Sequence, residues 1–252
     1  MIQKIGLITG GSRGLGKNTA LSMAKNGIDI ILTYNAQKDA ADAVVDGIQA
    51  MGREAVALNL DVGNVKTFSK FSEQVRTALS KNWQRDSFDF LINNAGHGDY
   101  ALIEQTTEEQ FDGLVNVHFK GVYFLTQALL KLISDGGRII NFSSGLTRMS
   151  FPGYAAYAAA KGAIEVLSVY MAKELGCRGI AVNTVAPGAI ETDFGGGAVR
   201  DNPDINKLFA GMTALGRVGV PDDIGPMVTS LLSEDNRWIN AQRIEVSGGQ
   251  AI

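Results

Sequence analysis

The 252-residue chain has one cysteine, Cys177, and two histidines, His97 and His118. A single cysteine excludes an intrachain disulfide and any multi-cysteine metal site, and it fits a reducing compartment. With so few imidazoles and no other ligand cluster, no metal centre is expected. There is no run of Lys or Arg, and the net charge is −3, so a nucleic-acid surface is not suggested. No apolar stretch approaches the ~18–20 residues of a membrane span. Met1 leads almost at once into the apolar Ile5-Gly6-Leu7-Ile8, which leaves no room for a secretory signal and makes the cytoplasm the expected location. What remains is an ordinary globular composition, 45% hydrophobic and 19% charged, in a chain long enough for one large domain with a substantial core.

Short apolar runs alternate with longer helical patterns along the whole length, the arrangement of an α/β fold with a parallel sheet. Strands are expected at 5–8, 28–32, 55–60, 88–92, 138–142, 180–185 and 243–246. Helices are expected at 15–26, 37–51, 65–79, 107–133 (a short piece and a long one), 155–175 and 221–232. The segment 80–87, with Trp83, reads as a polar connection, and 187–220 as a glycine-rich irregular stretch. No linker or internal repeat divides the chain. The strands are apolar throughout, so helices should cover both faces of the sheet.

In such folds ligands bind beyond the carboxyl ends of the strands. The polar and glycine residues gather there: Thr9 to Gly16, Tyr34-Asn35, Asp61-Val62, Asn93 to Gly96, Ser143-Ser144 and Pro187-Gly188. The turn Thr9-Gly10-Gly11-Ser12-Arg13-Gly14-Leu15-Gly16 joins the first strand to the first helix. Its glycines permit close backbone approach, and the helix N-terminus offers free N–H groups to a phosphate. A pyrophosphate-bearing nucleotide is the natural ligand, although a tight strand–helix turn needs glycines too. The spacing is neither the common Gly-x-Gly-x-x-Gly nor a P-loop.

The segment 155–175 is rich in Ala, Leu, Met, Lys and Glu, and as a helix it sets Tyr157 and Lys161 at i and i+4 on one face. An ammonium beside a phenol favours the phenolate, so the pair can bring a tyrosine toward working pH and let it give or take a proton. The same spacing also occurs in plain amphipathic helices, where the aromatic packs and the lysine is solvated.

Taken together, Thr-Gly-x-x-x-Gly-x-Gly at Thr9 to Gly16, Asn-Asn-Ala-Gly at Asn93 to Gly96, Ser144, Tyr-x-x-x-Lys at Tyr157 to Lys161, and Pro187-Gly188 resemble the short-chain dehydrogenase/reductase family, most closely its 3-oxoacyl-carrier-protein reductase-like group. The motifs fall in family order across essentially the whole chain. The resemblance implies a single-domain Rossmann-like three-layer αβα sandwich over residues 1–252 with a seven-stranded parallel sheet. The implied reaction is reversible hydride transfer between a nicotinamide dinucleotide and a ketone, aldehyde or secondary alcohol.

By the same resemblance Tyr157 is the general acid or base, Ser144 holds the substrate oxygen, and Lys161 tunes the tyrosine and holds the nicotinamide ribose. Asn116 would order a relay water near the lysine. Gly10, Ser12, Arg13, Gly14, Leu15 and Gly16 would hold the pyrophosphate end. Tyr34, Asn35, Asp61, Val62, Asn93, Ala95 and Gly96 would line the adenosine, with Asn93 also placed to hold the central strand, and Pro187, Gly188, Ile190 and Thr192 the nicotinamide. Ser143 and Tyr154 fall at the wrong spacing for catalysis. His97 follows the Asn-Asn-Ala-Gly segment and could face substrate; His118 sits within a long helix and reads as structural.

An acid at the end of the second strand would hydrogen-bond the ribose 2′-hydroxyl and repel a 2′-phosphate. Here the strand runs Leu32-Thr33-Tyr34-Asn35, with no carboxylate until Asp39, and Arg13 is placed to meet a phosphate. NADP(H) is therefore expected over NAD(H). Residues 193–219 are expected to form a mobile substrate lid, with Gly195-Gly196-Gly197 as its hinge and Phe194, Leu208, Phe209 and Met212 as apolar cover. Arg178 matches a residue that carrier-protein reductases use for their partner, but Leu132-Ile133-Ser134-Asp135 lacks their basic character. A small free carbonyl or alcohol is the expected substrate, with a carrier-linked one as the alternative. The resemblance also implies a homotetramer built on the helices around 116–130 and 155–175. The rival from another class is a nucleotide-sensing regulator that keeps the fold without catalysis.

Overall fold

A computed structural model of the chain describes residues 3–252. Its strands are β1 (Ile5–Ile8), β2 (Asp29–Tyr34), β3 (Ala55–Asn59), β4 (Phe88–Asn93), β5 (Ile133–Phe142), β6 (Ala181–Pro187) and β7 (Arg243–Val246). They form one seven-stranded sheet in the order β3-β2-β1-β4-β5-β6-β7. Every pair is parallel. The order reverses between β1 and β4, where neighbouring loops leave the sheet in opposite directions and a crevice opens at the carboxyl ends.

Two apolar layers sandwich the sheet, and the strands supply them by alternation. Ile30, Leu32, Phe90, Ile92 and Ile140 face one layer, packed with α1 (Gly14–Lys25), α2 (Lys38–Ala50) and α9 (Gly225–Leu231). Ile31, Leu91 and Ile139 face the other, packed with α3 (Phe68–Trp83), α5 (Gly121–Leu129) and α6 (Ala155–Leu175). Tyr123 and Phe124 on α5 and Val166, Val169 and Tyr170 on α6 remain exposed. No helix among the described residues is long and apolar enough to cross a membrane.

Besides shifts of a few residues, such as the last helix starting at Gly225 rather than Pro221, four segments differ from the sequence expectation. Helix α3 runs on through Trp83, because the indole N–H reaches back to Asp29 Oδ2 at 2.9 Å and gives the last turn an anchor. Strand β5 starts at Ile133 rather than Arg138, and its early residues pass through Gly136 (φ 73°) with a register shift against β4. The expected helix over 107–133 is α4 (Glu108–Val115), a π-helical turn Asn116–Lys120, α5, and a 3-10 turn Leu130–Leu132. The stretch expected to be irregular contains α7 (Ala198–Asp201) and α8 (Pro203–Gly211). Asn202 starts α8 by accepting from the N–H groups of Asp204 and Ile205, with Pro203 in the first turn, a start signal that the surrounding glycines obscured.

Candidate active site

The strand ends enclose a cleft of about 600 Å³. Its floor at one end is the glycine turn. Gly10 has φ 67°, and a Cβ at Gly16 would lie 2.2 Å from Gly10 O and 2.5 Å from Asn94 Nδ2, so only glycine lets helix α1 start this close to β1 and β4. Helix α1 has no side-chain cap at Arg13 and no acidic residue in its first turn. Its leading N–H groups and positive dipole end thus point into the cleft unopposed, which is the chemistry a pyrophosphate requires. Arg13 is exposed at the rim, and β2 ends without a carboxylate on the lining. These residues fit a nicotinamide dinucleotide with a 2′-phosphate.

All the sequence-predicted cofactor residues line this cleft except Asn93. Asn93 lies one step back in β4, where its Nδ2 donates to Asn141 Oδ1 at 2.8 Å and Thr126 Oγ1 at 3.2 Å, tying β4 to β5 and α5. Its neighbour Asn94 takes the cleft-side position and donates to Thr9 O at 2.8 Å and Gly10 O at 3.3 Å. At the far end Gly188 packs on Ser247 and Gln250, and Ala189 N donates to Gln250 Oε1 at 2.9 Å. The C-terminal segment thereby braces the Pro187-Gly188 turn, a contact that spacing could not foretell.

Ser144, Tyr157 and Lys161 meet in the middle of the cleft. Ser144 begins a 3-10 turn in extended backbone, and its Oγ accepts from Leu146 N at 3.2 Å. Ser143 turns the other way, donating to Glu165 Oε1 at 2.7 Å. Glu165 Oε1 also accepts from Thr147 Oγ1 and from Arg243 Nε, each at 2.7 Å, so the loop that carries Ser144 is held from behind. Both serines line the cleft, and Ser143 is the one whose hydroxyl is engaged by Glu165. Tyr154 likewise stays out of the centre, packing edge-on against Tyr100 at 5.6 Å.

Tyr157 is almost wholly buried, and burial pushes its phenol pKa up; a hydrogen bond with Ser144 pulls it partly back. Lys161 sits with its Nζ 5.8 Å from the Tyr157 ring centroid and donates to Phe142 O at 2.7 Å. Its own burial lowers its pKa to about 7. The expected depression of the tyrosine by the lysine is therefore not the dominant effect: the ammonium is held on a carbonyl and is itself half-titrated near neutrality. The phenol is protonated at working pH, the state a general acid needs.

Asn116 stands at the start of the π-helical turn that packs against α6, the helix of Tyr157 and Lys161. It borders a separate open groove with Thr107, Glu108, Glu109, Asp112 and Gly113. Val117 and His118 of the same π turn line the cleft. The His118 ring lies edge-on to Tyr157, with centroids 5.0 Å apart at 84°. His118, read from the sequence as a structural residue of a long helix, is buried and also lines the cleft beside Tyr157.

Phe194 closes the cleft from the lid segment, 5.7 Å from the Tyr157 ring, with Gly195 and Gly196 also on the lining. Arg178 is committed elsewhere, bonding to Asp135 Oδ1 at 2.7 Å and Leu130 O at 2.9 Å, so it acts as a brace at the end of α5. No cluster of three or more metal-ligating side chains occurs among the described residues.

Comparison with known proteins agrees with this architecture. The enoyl-(acyl carrier protein) reductase family model matches residues 10–251. The hydroxynaphthalene reductase-like protein Arp2 of Metarhizium brunneum is 35% identical over 98% of this chain and 94% of its own length. The solved structure of the promiscuous reductase LugOII, which catalyzes keto-reduction at C1 during lugdunomycin biosynthesis, is 37% identical with a TM-score of 0.93, covering 100% of this chain and 99% of that one. The angucycline C-6 ketoreductase LanV, solved with bound NADP, is 34% identical with a TM-score of 0.94 over 99% of this chain and 96% of its own. Because these matches span nearly the full length, the chain belongs to the short-chain dehydrogenase/reductase family of NAD(P)-dependent oxidoreductases.

Proposed function

We propose that the protein is an NADP(H)-dependent ketoreductase in which Tyr157 is the general acid, acting on a carbonyl attached to a flat, largely apolar ring system. The observation that carries this reading is the meeting of Ser144, Tyr157 and Lys161 in one cleft with the glycine turn. A nicotinamide dinucleotide bound along the strand ends supplies the hydride. Ser144 Oγ holds the substrate oxygen against Tyr157, whose buried phenol keeps its proton until the oxygen gains negative charge. Lys161 supplies positive charge beside that phenol and weakens as pH rises through about 7. The reduction rate should accordingly decline above neutrality.

The ring preference rests on Phe194, which lines the cleft 5.7 Å from the Tyr157 ring and offers a planar substrate an aromatic face beside the reacting centre. LugOII and LanV are keto-reducing enzymes by their descriptions, and the Metarhizium relative is described by a hydroxynaphthalene, itself a fused aromatic. The NADP(H) preference rests on Arg13, on the uncharged end of β2, and on the NADP bound in LanV. Arg178 pairs with Asp135 at the end of α5, and the carrier-linked reading stays the alternative.

A panel of fused-ring ketones, aliphatic ketones, sugars and acyl thioesters, assayed with NADPH and NADH, tests this reading. Fused-ring ketones with NADPH should turn over fastest, and Tyr157→Phe should lose about 10²–10⁴-fold in kcat. Undiminished turnover by Tyr157→Phe would overturn the mechanism, and a preference for acyl thioesters would overturn the substrate class. Absence of turnover across the panel, with NADPH bound, would return the chain to the nucleotide-sensing reading.

A further inference from the structure

The Ser144 side chain has little of its own to hold it. Its Oγ accepts from Leu146 N at 3.2 Å, which leaves the hydroxyl hydrogen for Tyr157 or a substrate oxygen. The aim of that hydroxyl is therefore set by the backbone of its loop, and the loop is fastened from α6. Ser143 Oγ and Thr147 Oγ1 each donate to Glu165 Oε1 at 2.7 Å, and Arg243 Nε reaches the same oxygen at 2.7 Å. Arg243 Nη2 also bonds to Ser144 O at 3.4 Å and to Thr147 Oγ1 at 3.1 Å. A carboxylate oxygen that takes two hydroxyls and a guanidinium is a strong, charge-assisted anchor. Glu165 follows Tyr157 and Lys161 at the same four-residue step along one side of α6. It borders, with Arg243, a separate cavity of about 250 Å³ behind the cleft, so neither residue touches the reacting atoms.

We infer that Glu165 and Arg243 are positioning residues that fix the Ser144 hydroxyl relative to the Tyr157 hydroxyl, the two groups that receive the substrate oxygen. The inference rests on the ketoreductase reading above. Tyr157 and Glu165 belong to one helix, so the serine loop is referenced to the same rigid element that carries the acid. Arg243 is aligned in its turn: Nη1 donates to Glu245 Oε2 at 3.0 Å. Glu245 is gripped by Arg148, through Nε at 2.9 Å and Nη2 at 2.6 Å. Arg148 ends the 3-10 turn that Ser144 begins. The charges Glu165, Arg243, Glu245 and Arg148 thus alternate in a chain that leaves α6, crosses β7 and closes on the loop it holds. Two donors that must meet one oxygen tolerate little error, and a misplacement of about 1 Å can cost about 100-fold in rate.

The competing account is that this network only stabilises the fold. A double-mutant cycle separates the two. Glu165→Met removes the acceptor and keeps the volume, Glu165→Gln keeps an uncharged acceptor, and Arg243→Met removes the guanidinium. Each is made alone and with Ser144→Ala. Single-turnover oxidation of NADPH by the preferred ketone keeps slow variants measurable, with NADPH Kd and melting temperature alongside. The inference expects Glu165→Met and Arg243→Met to slow the step roughly 10- to 100-fold when Ser144 is present, with NADPH Kd held. It expects them to cost less than threefold in Ser144→Ala, where no hydroxyl remains to be aimed. Glu165→Gln should recover most of the loss. A rate for Glu165→Met within threefold of wild type overturns the inference. So does a loss of threefold or more in the Ser144→Ala background, or a Glu165→Gln no faster than Glu165→Met. Should Glu165→Met fail to fold, Thr147→Val removes a single donor and carries the same cycle, and equal losses in both backgrounds overturn the inference there. Full activity of Tyr157→Phe in the same assay is a different failure, since it removes the ketoreductase mechanism itself.

Discussion

At the glycine turn, Thr9 Oγ1 accepts from the backbone N–H groups of Asn94 and Ala95, both at 3.0 Å, and Asn94 donates back to Thr9 O. Gly10 N donates to Thr33 Oγ1 at 3.2 Å, so β1, β2 and β4 are laced together directly beneath the phosphate site. Across the cleft the lid is built the other way. Gly195, Gly196 and Gly197 follow one another with φ of 60°, 73° and 81°, and a Cβ at Gly195 or Gly196 would meet nothing within 4 Å. Leu208 and Phe194 are substantially exposed there. One end is laced by hydrogen bonds across three strands, and the other, proposed as the substrate cover, carries three successive left-handed glycines with open space at two of them.

The largest expected effect breaks the rigid end. In Gly16→Ala the new methyl group collides with Gly10 O and Asn94 Nδ2, and neither can yield without unlacing β1 from β4. NADPH affinity should fall on the order of 100-fold, about 2.7 kcal/mol, with a lowered melting temperature. Fluorescence titration and thermal unfolding measure both. An affinity within threefold of wild type would show that the turn is far softer than its hydrogen bonds indicate.

Arg13→Ala tests the same end more gently, since it removes charge and leaves the backbone alone. Arg13 is exposed, so its hold on a 2′-phosphate is screened and should be worth about tenfold in affinity. NADPH Kd should rise by that factor while NADH Kd stays put. An unchanged NADPH/NADH ratio in paired titrations would move the 2′-phosphate contact to another residue.

The contrast between the two ends also explains what could be read from the sequence. The sheet, the glycine turn and the Tyr157–Lys161 pair were legible because each is local: alternation of apolar runs, a helix start, an i, i+4 spacing. Ser144 was legible through its fixed distance to Tyr157. The misses all depend on three dimensions. The π-helical turn Asn116–Lys120, where an ordinary helix was expected, leaves no trace in composition. The place of His118 beside Tyr157 was hidden with it. Asn93 and Asn94 are adjacent and identical, and only strand alternation in the folded sheet decides which one reaches the cleft. Burial, too, has no signature within the Tyr157–Lys161 spacing, so the direction of the tyrosine pKa was beyond reach.

The smallest expected effect comes from repeating the Gly→Ala change at the loose end. Gly196 has open space around its Cα, so the methyl group of Gly196→Ala meets no wall, and the only cost is a left-handed φ of 73° imposed on alanine. Such strain amounts to about 1 kcal/mol, which an exposed segment can relieve by shifting its resting position. The Tyr157 contact with Phe194 depends on that position. Substrate KM should therefore rise roughly two- to fivefold, while NADPH Kd and the melting temperature stay within error of wild type. Steady-state kinetics on the preferred ketone, paired with the titration used for Gly16→Ala, gives the comparison directly. If Gly196→Ala instead weakens NADPH binding as strongly as Gly16→Ala does, the lid is part of the cofactor cradle and the two ends are one device.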